Sequence, residues 1–468
     1  MEALKNKEVS ESEGEDVELD VDVVVAGAGG TGLAAAASAH ENGAEVLVLE
    51  KMANTGGSTA LSGGGISATG SKFQEERGIE DSKESWMELW KERQATSNPD
   101  SQFPDYERVD YFMDEAIVTT EWLVDYVGHS YGDISGFGLD PVERLHFPEG
   151  GGGSVLTGNI EQFLRDEGVE IRTETEVTEI IVDDEGNAVG VLAQGPDGKV
   201  TVNAKKVILA TGGYARSEEM LEKYIPEAVG TADLSAAAAG TTGDGMVMTE
   251  KLDAAVYEEP WVIGLGVATK VEGTSSLMMD WSKLYVNGNG ERFTNEQIHY
   301  AIATNRILEA DNPWIIIDSA EENAELVQAL EAGLDTGEVV RGESVEALAE
   351  EMGVPVDTFV DTIETYNAGA QNGNDEFGKT EDFLKPVENS PFYAIKAYGK
   401  TMGTFAGVEI NDNMQVLRED GSIIGNLYAG GEMANKALYN QVYMSGSAVQ
   451  WALTSGRLAG EHAATNLQ

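Results

Sequence analysis

The apolar positions fall into two periods. Val21, Val23, Val24 and Val25 form a short, almost wholly apolar run, the pattern of a strand buried on both faces of a parallel sheet. An alanine-rich stretch, Leu33–Asn42, follows and ends at Gly43, which predicts a helix and its stop. Val46–Leu49 is again apolar throughout and predicts the second strand. A mostly helical pattern then runs to about Val127, and Gly128–Ser154 reads as loop, closing on Glu149 and four glycines. From Glu170 the period changes to strands: Glu170–Val177, Thr178–Asp183 and Val189–Gln194, with Gly186 and Asp197-Gly198 as hairpin turns. Lys206–Ala210 is a further apolar strand, and Ser319–Ala368 is acidic and largely helical.

Gly27, Gly29 and Gly32 stand between the first strand and the first helix in the spacing G-x-G-x-x-G. Their missing side chains permit a tight turn, approach of backbone N–H groups to a pyrophosphate, and close packing of helix on strand. In a chain with 55 glycines the triplet alone carries little weight. Between two strands, with Glu50 ending the second, it predicts a dinucleotide site. The Glu50 carboxylate suits both ribose hydroxyls of an adenosine and repels a 2′-phosphate, so FAD or NAD is expected and NADP is not. Lys51 and Gly56-Gly57-Ser58-Thr59, with Gly64 in the next glycine run, offer further donors beyond the ribose and favour the longer cofactor, FAD.

Here the chain resembles the flavoprotein subunits of the fumarate reductase and succinate dehydrogenase superfamily, which also contains 3-ketosteroid Δ1-dehydrogenases and urocanate reductases. The likeness covers nearly all of the chain after residue 20. It implies an α/β fold: a Rossmann-like FAD-binding domain with an inserted α+β capping domain. The expected division is a flexible acidic leader over 1–20, FAD-binding domain over 21–254, capping and substrate domain over 255–385, and FAD-binding domain again over 386–468. By the same resemblance Val177 lies against the adenine, and the strand running into Ala210-Thr211-Gly212-Gly213 brings Thr211 and Gly212 to the cofactor. Asp244 is placed near the ribityl or pyrophosphate, with a helix N-cap as an equally good reading. Glu432 of Gly430-Gly431-Glu432 takes the ribityl hydroxyls, and Ala448 and Val449 present amides to the flavin pyrimidine.

The chemistry is expected at two motifs. In Gly290-Glu291-Arg292-Phe293-Thr294-Asn295-Glu296, the fumarate reductases place a proton-donating arginine four residues after the final glutamate; here that position is Tyr300. Counting back from Gly456-Arg457, their substrate arginine falls on Tyr443, and the histidine before their T-M-G is Lys400. A fumarate site clamps two carboxylates with several cations, and most of these are gone. Paired tyrosines resemble the 3-ketosteroid Δ1-dehydrogenases instead, although Met444-Ser445-Gly446-Ser447 replaces their proline and glycine-rich run and is one residue shorter. Tyr300 is therefore the expected proton-transfer residue, Tyr443 and Lys400 the carbonyl-side donors, and His299 a helper. Tyr439 is the substitute if the register slips, and Tyr126, Tyr131 and His146 read as packing. A free phenol, with a pKa of about 10, is a ready acid and a poor base at neutral pH.

The resulting expectation is an FAD-dependent oxidoreductase that reduces an activated C=C bond in a bulky, mostly uncharged enone or phenolic substrate. The alternatives are ketosteroid-type desaturation, reduction of a small carboxylate such as fumarate or urocanate, and a flavin electron carrier, which would have no use for a lid. The chain has no cysteine, which excludes a dithiol centre, iron–sulfur ligation and C-x-x-C-H haem attachment. A separate electron donor is then expected, together with a small-molecule substrate and no metal. Net charge is −53, with 83 acidic residues against 30 basic ones, which disfavours nucleic acid and anionic membranes. No apolar run reaches the roughly 18 residues of a membrane span. Residues 1–20 lack the apolar core of a signal peptide, so a cytoplasmic location is expected, with export as the alternative if a signal preceded them.

Overall fold

The computed structural model describes residues 16–137 and 139–467. Its main sheet runs in the order Gln415–Leu417, Ile423–Ala429, Gly198–Leu209, Val17–Ala26, Val46–Leu49, Glu170–Arg172. Val17–Ala26 pairs in parallel with both Val46–Leu49 and Gly198–Leu209, so the first apolar run sits at the centre of the sheet. Val23, Val24 and Val25 are fully buried, as a strand covered on both faces requires. The strands Glu176–Val182 and Ala188–Gly195 form an antiparallel meander onto Gly198–Leu209.

The first strand extends further back than the periodicity suggested. The expected leader ended at residue 20, yet Val17 and Leu19 already pair with Val200 and Val202, alternating with Glu18 and Asp20. Two-residue alternation with acidic outward positions is a half-exposed strand, not a tether. Residues 1–15 of the expected leader lie outside the described residues. The segment expected as loop over 128–154 is also partly sheet: Tyr131–Ser135 and Leu145–Pro148 pair antiparallel, and Ile66–Ser67 adds to the second of them.

The helix Gly30–Glu41 packs against Ser447–Thr465 at close range. A Cβ on Gly456 would lie 2.2 Å from the Thr31 carbonyl oxygen, and one on Gly460 the same distance from that of Ala35. Alanines on one helix and glycines four apart on the other let the backbones meet, which larger side chains would prevent.

A second, antiparallel sheet has the order Leu284–Val286, Trp314–Ile317, Phe392–Lys396, Val339–Gly342, with its own apolar cores. Phe392–Lys396 lies beyond residue 385, where the return to the FAD-binding part was expected, and still pairs with Trp314–Ile317 and Val339–Gly342. Trp261–Ala268 and Tyr398–Phe405 form an antiparallel ribbon. Among the described residues no helix is long and apolar enough to cross a membrane.

Candidate active site

A cavity of about 610 Å³ extends from the glycine turn to the ribbon. Gly27, Gly29, Glu50, Lys51, Gly57, Ser58, Thr59, Gly64, Val177, Thr211, Gly212, Asp244, Glu432, Ala448 and Val449 all line it, as do Tyr300 and Tyr443. Gly32, His299 and Lys400 do not. Gly32 serves the turn from below: a Cβ there would lie 1.8 Å from the Gly27 carbonyl oxygen. Gly29, by contrast, has no protein atom within 4 Å of an added Cβ and opens onto the cavity.

The dinucleotide end is built from backbone and fixed carboxylates. Glu50 accepts from the amides of Ala28 and Met52, both at 2.8 Å, which pins its carboxylate at the end of the second strand. Lys51 and Asp244, each expected to face the cofactor, pair with one another at 2.5 Å, and both also bond Thr242. The N-cap reading of Asp244 is corrected: Gly243 is the cap, and Asp244 is the first residue of the helix Asp244–Glu250. Burial pushes the Glu432 carboxyl up to about 7, against the backbone donors of Thr404 and Gly213. The hydroxyl of Thr211 is buried without a protein partner. An orphaned hydroxyl, an open glycine face and a half-buried carboxyl along one elongated cavity fit FAD: Glu50 would take the ribose, the Gly27–Gly29 turn the pyrophosphate, and Thr211 and Glu432 the ribityl chain.

At the other end, the G-E-R-F-T-N-E motif folds back on itself. Arg292 pairs with Glu296 through two bonds of 3.0 and 2.8 Å and also with Asp375, and Lys379 reaches Glu296 at 2.8 Å. This buried ion cluster holds the segment that delivers His299 and Tyr300. His299 is the N-cap of the helix Tyr300–Glu309, so Tyr300 is its first residue and is fixed at a helix start. Burial holds the Tyr300 phenol well above its ordinary range, and burial likewise raises that of Tyr443. Both are therefore protonated at neutral pH. The two rings are 6.3 Å apart, centroid to centroid.

Tyr443 lies just before the helix Ser447–Thr465, whose first turn holds Ala448 and Val449, and the backbone amides of Ala448 and Gly446 donate to the Tyr443 phenol oxygen. Gly446 caps that helix at φ +74°, where a Cβ would also lie 2.3 Å from Leu145 and 2.6 Å from the Ser67 hydroxyl. The alternative, Tyr439, is fully buried between Trp90 and Phe405 and does not line the cavity. Lys400 is half-buried in Tyr398–Phe405, and Thr304 donates to its carbonyl at 3.3 Å; Met402, two residues on, is the side chain of that strand that lines the cavity. The carbonyl-donor expectation for Lys400 is thus not carried forward. Tyr131 donates to the Thr120 carbonyl and His146 bonds Ser71, both away from the cavity lining.

The motif reading assigned no role to Ser445, Phe137, Phe147, Ile263, Leu265 and Met402, all of which line the cavity. Ile263 and Leu265 are alternate positions of one strand, a signal the sequence does carry. Phe137 packs edge-on against Tyr300 at 5.5 Å, a pairing between distant segments with no local signature. Among the described lining residues, the single cationic side chain is Lys51, already paired with Asp244.

Comparison with known proteins agrees with an FAD-binding fold. A family described as an FAD binding domain matches residues 22–448. A probable fumarate reductase of Shewanella frigidimarina is 29% identical over 442 residues, covering 91% of this chain and 72% of that one. A vinyl phenol reductase of Lactiplantibacillus plantarum is 30% identical over 468 residues, covering 91% and 92%. Among solved structures, a 3-ketosteroid-Δ4-(5α)-dehydrogenase from Rhodococcus jostii in complex with 4-androstene-3,17-dione superposes with a TM-score of 0.76 at 27% identity, covering 95% and 97%. The chain belongs to the FAD-binding family and is an FAD-dependent oxidoreductase acting on CH–CH and C=C groups.

Proposed function

We propose that the chain reduces an activated C=C bond in an uncharged, ring-bearing substrate, an enone or a vinyl phenol. The observation that carries this reading is the makeup of the substrate end: two buried phenols and a serine among Ile263, Leu265, Met402, Phe137 and Phe147, with no unpaired cation among the described lining residues. A dicarboxylate placed there would leave both charges without a partner, at a cost of several kcal/mol. An aromatic or alicyclic ring would instead bury apolar surface against those side chains. The similarity to a vinyl phenol reductase over nearly the full length of both chains supports the same class.

FAD, when bound and reduced, supplies the hydride. Tyr300 supplies the proton to the neighbouring carbon, its O–H bond breaking as the C–H bond forms, and with an enone Tyr443 donates a hydrogen bond to the carbonyl oxygen, which takes up the charge as hydride adds to the alkene. Desaturation of a ring ketone would need Tyr300 as a phenolate base. Its burial keeps it protonated, which favours reduction. With no cysteine in the chain, the electrons come to the flavin from a separate donor.

The test is anaerobic. The flavin of the holoenzyme is reduced chemically and mixed with 4-vinylphenol, cyclohexenone, 4-androstene-3,17-dione and fumarate, and reoxidation is followed at the flavin band. Vinylphenol or a ring enone is expected to reoxidise it at least a hundredfold faster than fumarate. Fumarate as the fastest oxidant would overturn the reading.

A further inference from the structure

Ser445 lines the cavity, and its hydroxyl oxygen lies 3.0 Å from that of Tyr300. On its other side, Nε2 of His299 is 3.5 Å away. We propose that Ser445 is a positioning residue that turns the Tyr300 O–H toward the substrate and donates to the phenolate oxygen once the proton has left. The proposal rests on the reading of Tyr300 as proton donor.

The direction of the chain follows from the helix cap. Nδ1 of His299 accepts from the Ala301 amide at 3.4 Å, which assigns the ring proton to Nε2. Burial, and then the charge of Arg93, depress the His299 pKa to about 3, so the ring is neutral and carries that one proton. Nε2–H therefore points to the Ser445 oxygen. The Ser445 proton is left to donate to Tyr300, and the Tyr300 proton is left to face the cavity. When Tyr300 gives its proton to the substrate carbon, the electron pair stays on the phenol oxygen and the serine donor is already in place. No group has to reorient, which is the condition under which a fixed donor stabilises developing charge best. His299 does not itself deliver a proton, because its second nitrogen is occupied by the cap.

The serine is held from behind. The Ser67 hydroxyl donates to the Ser445 carbonyl at 2.5 Å, and the Ser447 hydroxyl donates to that of Met444 at 2.5 Å. The other groups facing Tyr300 are Tyr443, His299 and the Arg93–Asp140 ion pair, 2.5 Å long. Burial opposes a phenolate most, Tyr443 next and Asp140 less; of the two groups that favour it, the Ser445 hydroxyl counts for more than Arg93.

The inference is tested on flavin-loaded holoenzyme with vinylphenol or cyclohexenone, whichever reoxidises it faster, in H2O and D2O. Ser445→Ala is expected to keep its flavin and melting temperature, lose about tenfold to a hundredfold in reoxidation rate, and show a larger solvent isotope effect because proton transfer becomes limiting. Ser445→Thr, which keeps the hydroxyl, restores most of the rate. Should the alanine variant lose flavin, Ser445→Cys is read in its place, with a thiol of similar size and weaker donation. A direct readout needs no turnover: difluorotyrosine installed at position 300 and titrated by fluorine NMR is expected to ionise about one pH unit higher, a tenfold shift, when Ser445 is alanine. An unchanged ionisation, or a slower rate with the wild-type isotope effect, would overturn the proposal. Full activity of Tyr300→Phe would sink the proton-donor reading itself, and the fluorine titration distinguishes that failure from this one.

Discussion

The two ends of the cavity are built from different materials. At the dinucleotide end, recognition comes from absent side chains and backbone amides: Gly27 and Gly29 in the turn, Glu50 pinned by two amides, and the first turn of Ser447–Thr465. At the end we propose for the substrate, the lining consists instead of particular side chains, Tyr300, Tyr443 and Ser445, framed by apolar neighbours. The first kind of site follows almost automatically from a strand, a glycine turn and a helix, and serves any enzyme that needs the same cofactor. The second can be rewritten by a few substitutions while the sheet stays as it is, which is how one fold accommodates different substrates.

The largest expected effect separates folding from binding within the glycine turn. Gly32→Val places its Cβ against the Gly27 carbonyl and is expected to leave no folded, flavin-bearing protein, measured as flavin absorbance per chain after purification. Gly29→Ala meets no protein atom within 4 Å and is expected to fold normally, with flavin affinity down about tenfold through intrusion into the cavity. Equal stability of the two variants would break the distinction.

At the opposite end, Tyr300→Phe removes one oxygen in a site already packed. Its flavin content is expected to match wild type while the reoxidation rate falls about 10²- to 10⁴-fold, measured by anaerobic stopped flow. This loss without loss of cofactor is what a separable substrate end predicts.

Glu432 gives a pH test of the cofactor end. Its folded-state pKa, about 7, lies above its ordinary 4.5. Between these values the native apoprotein binds more protons than the unfolded chain, so the carboxyl's contribution is fully present below about pH 4.5 and is lost as pH rises through 7. Unfolding of apoprotein at pH 5 and 8 is expected to show Glu432→Gln losing less stability over that interval than wild type, by up to roughly 3 kcal/mol. Identical pH dependence of the two proteins would show that this carboxyl is not linked to folding.

The smallest effect is expected at the rim. Phe137 is 40% exposed and touches the Tyr300 ring. Phe137→Ala is expected to raise KM for a ring substrate about three- to tenfold with kcat nearly unchanged, a loss of uniform binding surface.

How much of this was legible varied along the same line. The strand, turn and helix around Gly27 could be read locally, because buried valines, alanines and glycines each answer to their immediate neighbours. Tyr300 and Tyr443 were found by motif position, and the structure brings both to the cavity. Lys400 was placed by the same method and stays outside it; Met402, on the same face of Tyr398–Phe405 two residues further on, lines it instead. Ser445 stood in a segment that attracted notice for its length and small residues, but a hydroxyl's partner 145 residues away leaves no mark in local sequence. The sheet within 128–154 was missed because its two mutually paired strands, Tyr131–Ser135 and Leu145–Pro148, are short and carry no regular apolar alternation, and the strand that adds to them, Ile66–Ser67, comes from far earlier in the chain.

The packing of Gly456 and Gly460 against Thr31 and Ala35 also sets a timetable for synthesis. At about 5–20 residues per second, a ribosome that has finished the first helix needs on the order of tens of seconds to reach its partner. Throughout that interval the alanine face that should meet the second helix is bare, and the amides of Ala448 and Val449 do not yet exist. A flavin site that uses these amides is therefore complete only once the helix Ser447–Thr465 has been made and has packed on the first helix.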